Sequence, residues 1–304
     1  MFKNPNHFIQ FELWKDCSLG CKFCCNKNQP KIDKIESLHY VLDILNSEEI
    51  KNYNEIGLIG GEFFNGELDN PEVYTLFNKI LETISLLDFD KIYITTALMF
   101  DLTKFLNFVS ILKNLKLIDK TLICTSYDTK YRFYTKEREE LWKNNMKFLC
   151  KNFPELRVHT EIILTQSFIN EVLENRFNIC EFEKEFNTKI DFIEPSSGLG
   201  YYDKIEASNE MPDFFPTKSS FIQFLKKSIE NNWINLDTFL SMELRSNKLY
   251  FIADGKRMVA DNRREGDGKC PIPNAKVKYD TGFIDSNTSM SEVVREYKEM
   301  FYEY

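Results

Sequence analysis

The chain has no run of five or six lysines or arginines, no GxGxxG turn near its start, no low-complexity tract and no apolar stretch of membrane-spanning length. Each absence removes a class of function. With no basic stripe and a formal net charge of −8, long nucleic acid is not an expected partner. With no spanning segment, no membrane association is expected. The opening "MFKNPNHFIQFELWKD" lacks an uninterrupted apolar region behind a basic start, so no signal peptide is expected either. The expected location is cytoplasmic, where thiols stay reduced. A chain of 304 residues can bury an ample core without cross-links, so disulfides are not needed for stability. The missing glycine turn argues against a dinucleotide-binding sheet.

What is present is a rhythm. Short β-like runs, "HFIQFELW" (7–14), "EIGLIG" (55–60), "KIYITT" (91–96), "TLICTSY" (121–127), "RVHTEIILT" (157–165) and "KIDFIEP" (189–195), alternate with segments of helical period. Repeated βα units of this kind build a parallel sheet. In 103–115, Phe105, Phe108, Val109 and Leu112 share one helical face, as do Trp142, Met146, Leu149 and Phe153 in 136–154. Both stripes read as core. Six units are too few for a closed eight-stranded barrel. The expected fold is therefore α/β: an open, partial (β/α)6 TIM-like barrel over 1–199, followed by a small α+β C-terminal cap over 200–304. The cap would hold a hairpin turning at Asp254-Gly255 and an amphipathic terminal helix capped by Ser289 or Ser291.

Four of the eight cysteines fall in "CSLGCKFCC", residues 17–25, just after the first strand. Cys17, Cys21 and Cys24 form CxxxCxxC in a loop at the strand end where parallel α/β folds build their sites. Three thiolates in one loop suit three irons of a [4Fe–4S] cluster and leave the fourth iron open. Zinc fits poorly, because it takes paired CxxC knuckles and Cys124, Cys150, Cys180 and Cys270 are isolated. Four adjacent thiols also have little packing reason to be there. Cys25 reads as a packed neighbour.

At these residues the sequence resembles the radical S-adenosylmethionine superfamily. The resemblance rests on Cys17, Cys21 and Cys24, on the aromatic Phe23 before the last cysteine, and on Gly60, Gly61 and Glu62 of "GLIGGEFF" at the end of the second strand. It implies one [4Fe–4S] cluster and S-adenosylmethionine as cofactors, with Gly60, Gly61 and Glu62 at the methionine amino group. It also implies a 5′-deoxyadenosyl radical that abstracts hydrogen from substrate, and a reductant such as flavodoxin or ferredoxin. The glycine-rich fifth-strand motif of some members is absent, leaving Thr165 and Asn170 in that region. Related enzymes place polar contacts to S-adenosylmethionine where this chain has Ser126 and Asp128. Asp128 could instead cap the turn that follows.

Polar residues at alternate strand positions mark a candidate cavity: Gln10 and Glu12 in the first strand, His159 and Glu161 in the fifth, and Glu194 after the sixth. Glu12, Glu161 and Glu194 are the candidate substrate-lining carboxylates. The C-terminal region resembles the SPASM or twitch extensions of some radical S-adenosylmethionine enzymes. It has Ala260 where the hairpin is expected to carry a cysteine and only Cys270 for a ligand, so no auxiliary cluster is expected. A peptide substrate, a nucleotide or other small metabolite, and a non-catalytic iron–sulfur sensor all remain open. Lys256, Arg257, Arg263 and Arg264 near the site would favour a phosphate-bearing substrate.

Overall fold

The computed structural model describes residues 8–24, 33–133, 135–195, 209–234, 249–253, 256–260 and 290–302. Six strands, β1 (Phe8–Glu12), β2 (Glu55–Ile59), β3 (Lys91–Thr95), β4 (Thr121–Ser126), β5 (Arg157–Ile163) and β6 (Lys189–Ile193), run parallel and lie side by side in chain order. Crossovers between parallel strands are right-handed, so consecutive order places the connecting helices on one face of the sheet. Burial agrees with this. Ile9, Phe11, Ile56, Leu58, Ile92, Ile94 and Ile123 are buried on the helix side, whereas Gln10, Tyr93, Thr95, His159 and Glu161 on the other side are half-buried. The result is an open α/β sheet with one covered face and one polar face.

The connecting helices are α1 (Lys34–Leu45), α2 (Pro71–Ser85), α3 (Thr103–Asn114), α4 (Lys136–Asn152), α5 (Gln166–Leu173) and α6 (Ile179–Phe186). Most begin where a short polar side chain accepts from the first turn: Asp33 from Glu36, Asn70 from Glu72 and Val73, Thr135 from Arg138, Thr165 from Phe168, and Asn178 from Glu181. Pro71 follows Asn70 at the first helical position, where its missing N–H costs nothing. The expected stripe of α3 is buried, as are Trp142, Met146 and Leu149 of α4, whereas Phe153 is half-buried at the cap just past the helix. Trp142 is fully buried and donates from Nε1 to Thr125 Oγ1 at 3.1 Å, pinning α4 to β4 through its one polar atom.

Beyond residue 200 the chain adds α7 (Lys218–Glu230), the antiparallel pair β7 (Leu249–Ala253) and β8 (Lys256–Ala260), and α8 (Met290–Tyr302). β7 pairs in parallel with β1, so strands from both sides of the expected 199/200 boundary share one sheet, in the order β6-β5-β4-β3-β2-β1-β7-β8. The outer edge of β1 would otherwise leave its N–H and C=O groups unpaired, and β7 satisfies them. The Asp254-Gly255 turn, Ser289, Cys25, Cys270, Arg263 and Arg264 lie outside the described residues. No described helix is long and apolar enough to cross a membrane.

The ends of β1 and β2 are tied by backbone: Leu13 N–H donates to Ile59 O at 2.9 Å and Gly61 N–H to Trp14 O at 2.7 Å. Gly60 holds φ at 155°, and a Cβ there would press on the Trp14 carbonyl. A Cβ at Gly61 would overlap the Asp16 carbonyl. Gly61→Ala is expected to cost about 1–3 kcal/mol or more, as overpacking does in a rigid contact. Urea denaturation checks this, and an unchanged midpoint would show that the two segments part easily.

Candidate functional site

The segment after β1 carries Cys17, Cys21 and Cys24 to the C-terminal edge of the sheet, with Cys17 exposed, Cys21 buried and Cys24 half-buried. It is fastened on three sides. Lys22 N–H donates to Tyr131 O at 2.9 Å, Arg138 Nη1 donates to Leu19 O at 2.6 Å, and Asn65 Nδ2 donates to Ser18 Oγ at 2.7 Å. Lys34 at the start of α1 bridges Asp16 at 3.0 Å and Glu67. The three thiols lie within one another's fields. Burial first, and then the neighbouring thiols, push Cys17 up; burial also raises Cys21, which the Arg132 guanidinium pulls back down.

Arg132 sits in a π-helical turn, Thr129–Phe133, that follows β4. Such turns are rare and concentrate at functional sites. Asp128 builds this one: its Oδ1 accepts from the backbone of Lys130 at 3.1 Å, Arg132 at 3.0 Å and Tyr131. Of the two roles open to Asp128 in the sequence, the structure shows the turn cap. The guanidinium of Arg132 stands over the Phe23 ring, 5.2 Å from its centroid, and feels Cys21, Cys24, Asp128 and Glu161. Its Nε is buried and has no hydrogen-bond partner. Phe23 also stacks on Phe214 at 6.1 Å, and with Tyr131, Met211, Phe215 and Ile163 it forms a small apolar cluster beside the thiols.

Glu62 is buried on the other side of the loop. Its carboxylate accepts from Thr96 Oγ1 at 2.8 Å, Ala97 N–H at 2.6 Å and Phe64 N–H at 3.2 Å, stitching the end of β2 to the end of β3. Burial raises its pKa against these donors and Arg132, and its charge in turn reaches Cys17. Thr165 is the N-cap of α5, its Oγ1 accepting from Phe168 N–H at 3.1 Å. Ser126 ends β4 and donates to Glu161 on the next strand. Glu12 is buried at the end of β1, and Glu194 is half-buried just beyond β6.

The structure thus gathers Cys17, Cys21, Cys24, Phe23 and Glu62 around the β1 loop, while Ser126 and Glu161 lie on the open face. Arg132 lies between the two groups and escaped the sequence reading, although it stands only four residues beyond Asp128 in "TSYDTKYRF". Among the described residues no three His, Cys, Asp or Glu side chains converge on one point as ligands of a single ion. A four-iron cube makes a different demand, since each thiolate takes its own corner. No protein-family model matches the chain, and no curated protein does.

Removing the Asp128 carboxylate leaves three N–H groups, that of Tyr131 buried and those of Lys130 and Arg132 partly buried, without their acceptor. Asp128→Ala is expected to cost about 1–2 kcal/mol, in line with lost caps, and Asp128→Asn less, because one acceptor oxygen remains. Urea denaturation of the two variants checks the order; equal stabilities would show that the side chain does not hold the turn.

Proposed function

We propose that the chain is a radical S-adenosylmethionine enzyme on a partial (β/α)6 barrel, with Cys17, Cys21 and Cys24 as the ligands of one [4Fe–4S] cluster. One observation carries the reading: a single loop brings three thiols together, and two of them, Cys21 and Cys24, lie in the field of Arg132, a half-buried arginine whose buried Nε has no hydrogen-bond partner. The donor set is that of a thiolate-held iron–sulfur cluster. The spare donor suits the carboxylate of a methionine moiety. When bound, the cluster supplies the electron that cleaves S-adenosylmethionine to a 5′-deoxyadenosyl radical.

The chain's own residues do the positioning. Gly60 and Gly61 bring the β2 end against Trp14 and Asp16 and so fix where the cysteine loop starts. Asp128 holds the π-turn that presents Arg132, and Arg132 takes the carboxylate while offsetting thiolate charge. Phe23 and Phe214 close one side of the site with apolar surface that keeps water away from it. The polar face of the sheet, with Ser126 and Glu161, is the substrate side.

Anaerobic reconstitution of the wild type and the Cys17→Ala/Cys21→Ala/Cys24→Ala variant tests this. The wild type should hold about four irons per chain and form 5′-deoxyadenosine after reduction, and the variant should do neither. An iron-free wild type, or a cluster that never cleaves S-adenosylmethionine, would overturn the reading. Arg132→Ala should raise the KM for S-adenosylmethionine by about tenfold or more, the loss of roughly 1.4 kcal/mol or more of binding, with Arg132→Lys restoring part of it.

A further inference from the structure

Arg138 has a bond to the cysteine loop but no task in the chemistry proposed above. It stands in the first turn of α4, where its own N–H donates to the capping Thr135 Oγ1 at 3.4 Å. One turn further on, Trp142 pins the same helix to β4. The side chain therefore leaves from a rigid element. It reaches across to the loop after β1, and Nη1 donates to the Leu19 carbonyl at 2.6 Å. A guanidinium on a carbonyl makes a charge-assisted bond, shorter and stronger than a neutral one.

Leu19 is the residue through which the loop is set. It lies midway between Cys17 and Cys21 and is buried, whereas its neighbours Ser18 and Gly20 are exposed. Its N–H donates to the Cys17 sulfur, and its carbonyl goes to Arg138. The next residue, Gly20, holds φ at 64°, in the left-handed region, so the chain turns back at once and delivers Cys21. Cys21 O then accepts from Cys24 N–H at 3.2 Å. One residue thus links the first thiol to the turn that carries the other two, and Arg138 holds that residue from outside the loop. The charge of Arg138 also reaches Cys21, as does that of Arg132. The two arginines differ in what they grip: the Arg132 Nε has no hydrogen-bond partner, while Arg138 is bound to the backbone of the loop.

We propose that Arg138 is a positioning residue for the cluster: through the Leu19 carbonyl it fixes the spacing of the three thiols, and its permanent positive charge makes the bound cluster easier to reduce. The second part rests on the [4Fe–4S] reading; the hold on Leu19 does not. A guanidinium stays protonated at every working pH. Reduction adds negative charge to a thiolate-held cluster, and a fixed cation beside the loop favours that addition. Hydrogen bonds and charge around the ligands are among the levers by which a protein sets such a potential.

Arg138→Lys, Arg138→Gln and Arg138→Met separate the bond from the charge. Each is reconstituted anaerobically beside the wild type, iron is counted, and the midpoint potential is read by redox titration followed with electron paramagnetic resonance. The Lys variant keeps the charge and should stay near the wild-type potential. The Gln variant keeps a donor without the charge, so it should hold iron but shift to a lower potential. The Met variant loses both and should hold less iron than either. A Gln variant that carries four irons at the wild-type potential would overturn the proposal and leave the cofactor reading standing; a wild type that takes up no iron would overturn that reading and the charge role with it. A second readout uses the iron-free folded chain, labelled with iodoacetamide and read cysteine by cysteine by mass spectrometry. Cys21 is 7% exposed in the wild type and should react slowly. In the Met variant its rate should rise about tenfold or more, as expected when a hydrogen bond to a charged group no longer holds a segment closed, and the Lys variant should restore part of the protection. Cys124, buried in β4, should stay slow throughout, and exposed Cys180 fast. Unchanged Cys21 labelling in the Met variant, or Cys124 labelling that rises as much as that of Cys21, would overturn the proposal, the latter by making Arg138 a support of the whole fold.

Discussion

The backbone of Gly60 and Gly61 lies directly against the carbonyls of Trp14 and Asp16, and that contact decides where the cysteine loop leaves the sheet. No side chain fits between the two segments. The β1 and β2 ends are consequently held at backbone distance, and Glu62, the next residue, is carried inward to accept from Thr96, Ala97 and Phe64. Three successive strand ends are thereby joined by polar bonds under the thiol loop. Rigid strand ends are the usual support for groups that must hold a geometry while chemistry occurs above them.

A second constraint is electrostatic. Arg132 is the cation common to Cys21 and Cys24 on one side and to Asp128 and Glu161 on the other. A half-buried guanidinium such as this one carries a desolvation cost unless its donors are answered. Asp128 answers the backbone of the π-turn with Oδ1, and the buried Arg132 Nε has no hydrogen-bond partner. Phe23 shields the guanidinium face, and Phe214 shields Phe23 in turn. The segment carrying Met211, Phe214 and Phe215 is anchored to α5 through Ser167 N–H, which donates to Asp213 O at 3.2 Å, and Lys130 pairs with the Asp213 carboxylate. Local packing, turn chemistry and charge therefore meet at one edge of the sheet.

Much of the sheet was legible because its signals are local. Each of the six runs from "HFIQFELW" to "KIDFIEP" is a strand, and the stripes of Phe105–Leu112 and Trp142–Leu149 are buried as their period requires. The alternation of His159 and Glu161 with Val158 and Ile162 separates the two faces of β5 as expected. What sequence could not supply was which partner each polar group would meet. Thr165 caps a helix, a role not visible without the backbone, and Asp128 caps a turn, which the sequence offered as one of two roles without deciding between them. The pairing of β7 with β1 and the approach of Arg132 to thiols more than a hundred residues away are products of tertiary packing. The π-turn itself was hidden because "TKYRF" carries no residue that demands an extra backbone turn; only its origin at Asp128, after a strand, hinted that the chain would fold back over the sheet edge.

The proposed cluster, held by the three thiols, has one iron left for S-adenosylmethionine. Mössbauer spectroscopy of the 57Fe-loaded protein, with and without S-adenosylmethionine, addresses that iron directly. About one iron in four should change its isomer shift when S-adenosylmethionine is added, as expected for a site that lacks a protein thiolate. Four irons that all stay unchanged, or iron absent from a chain whose three cysteines are intact, would contradict it.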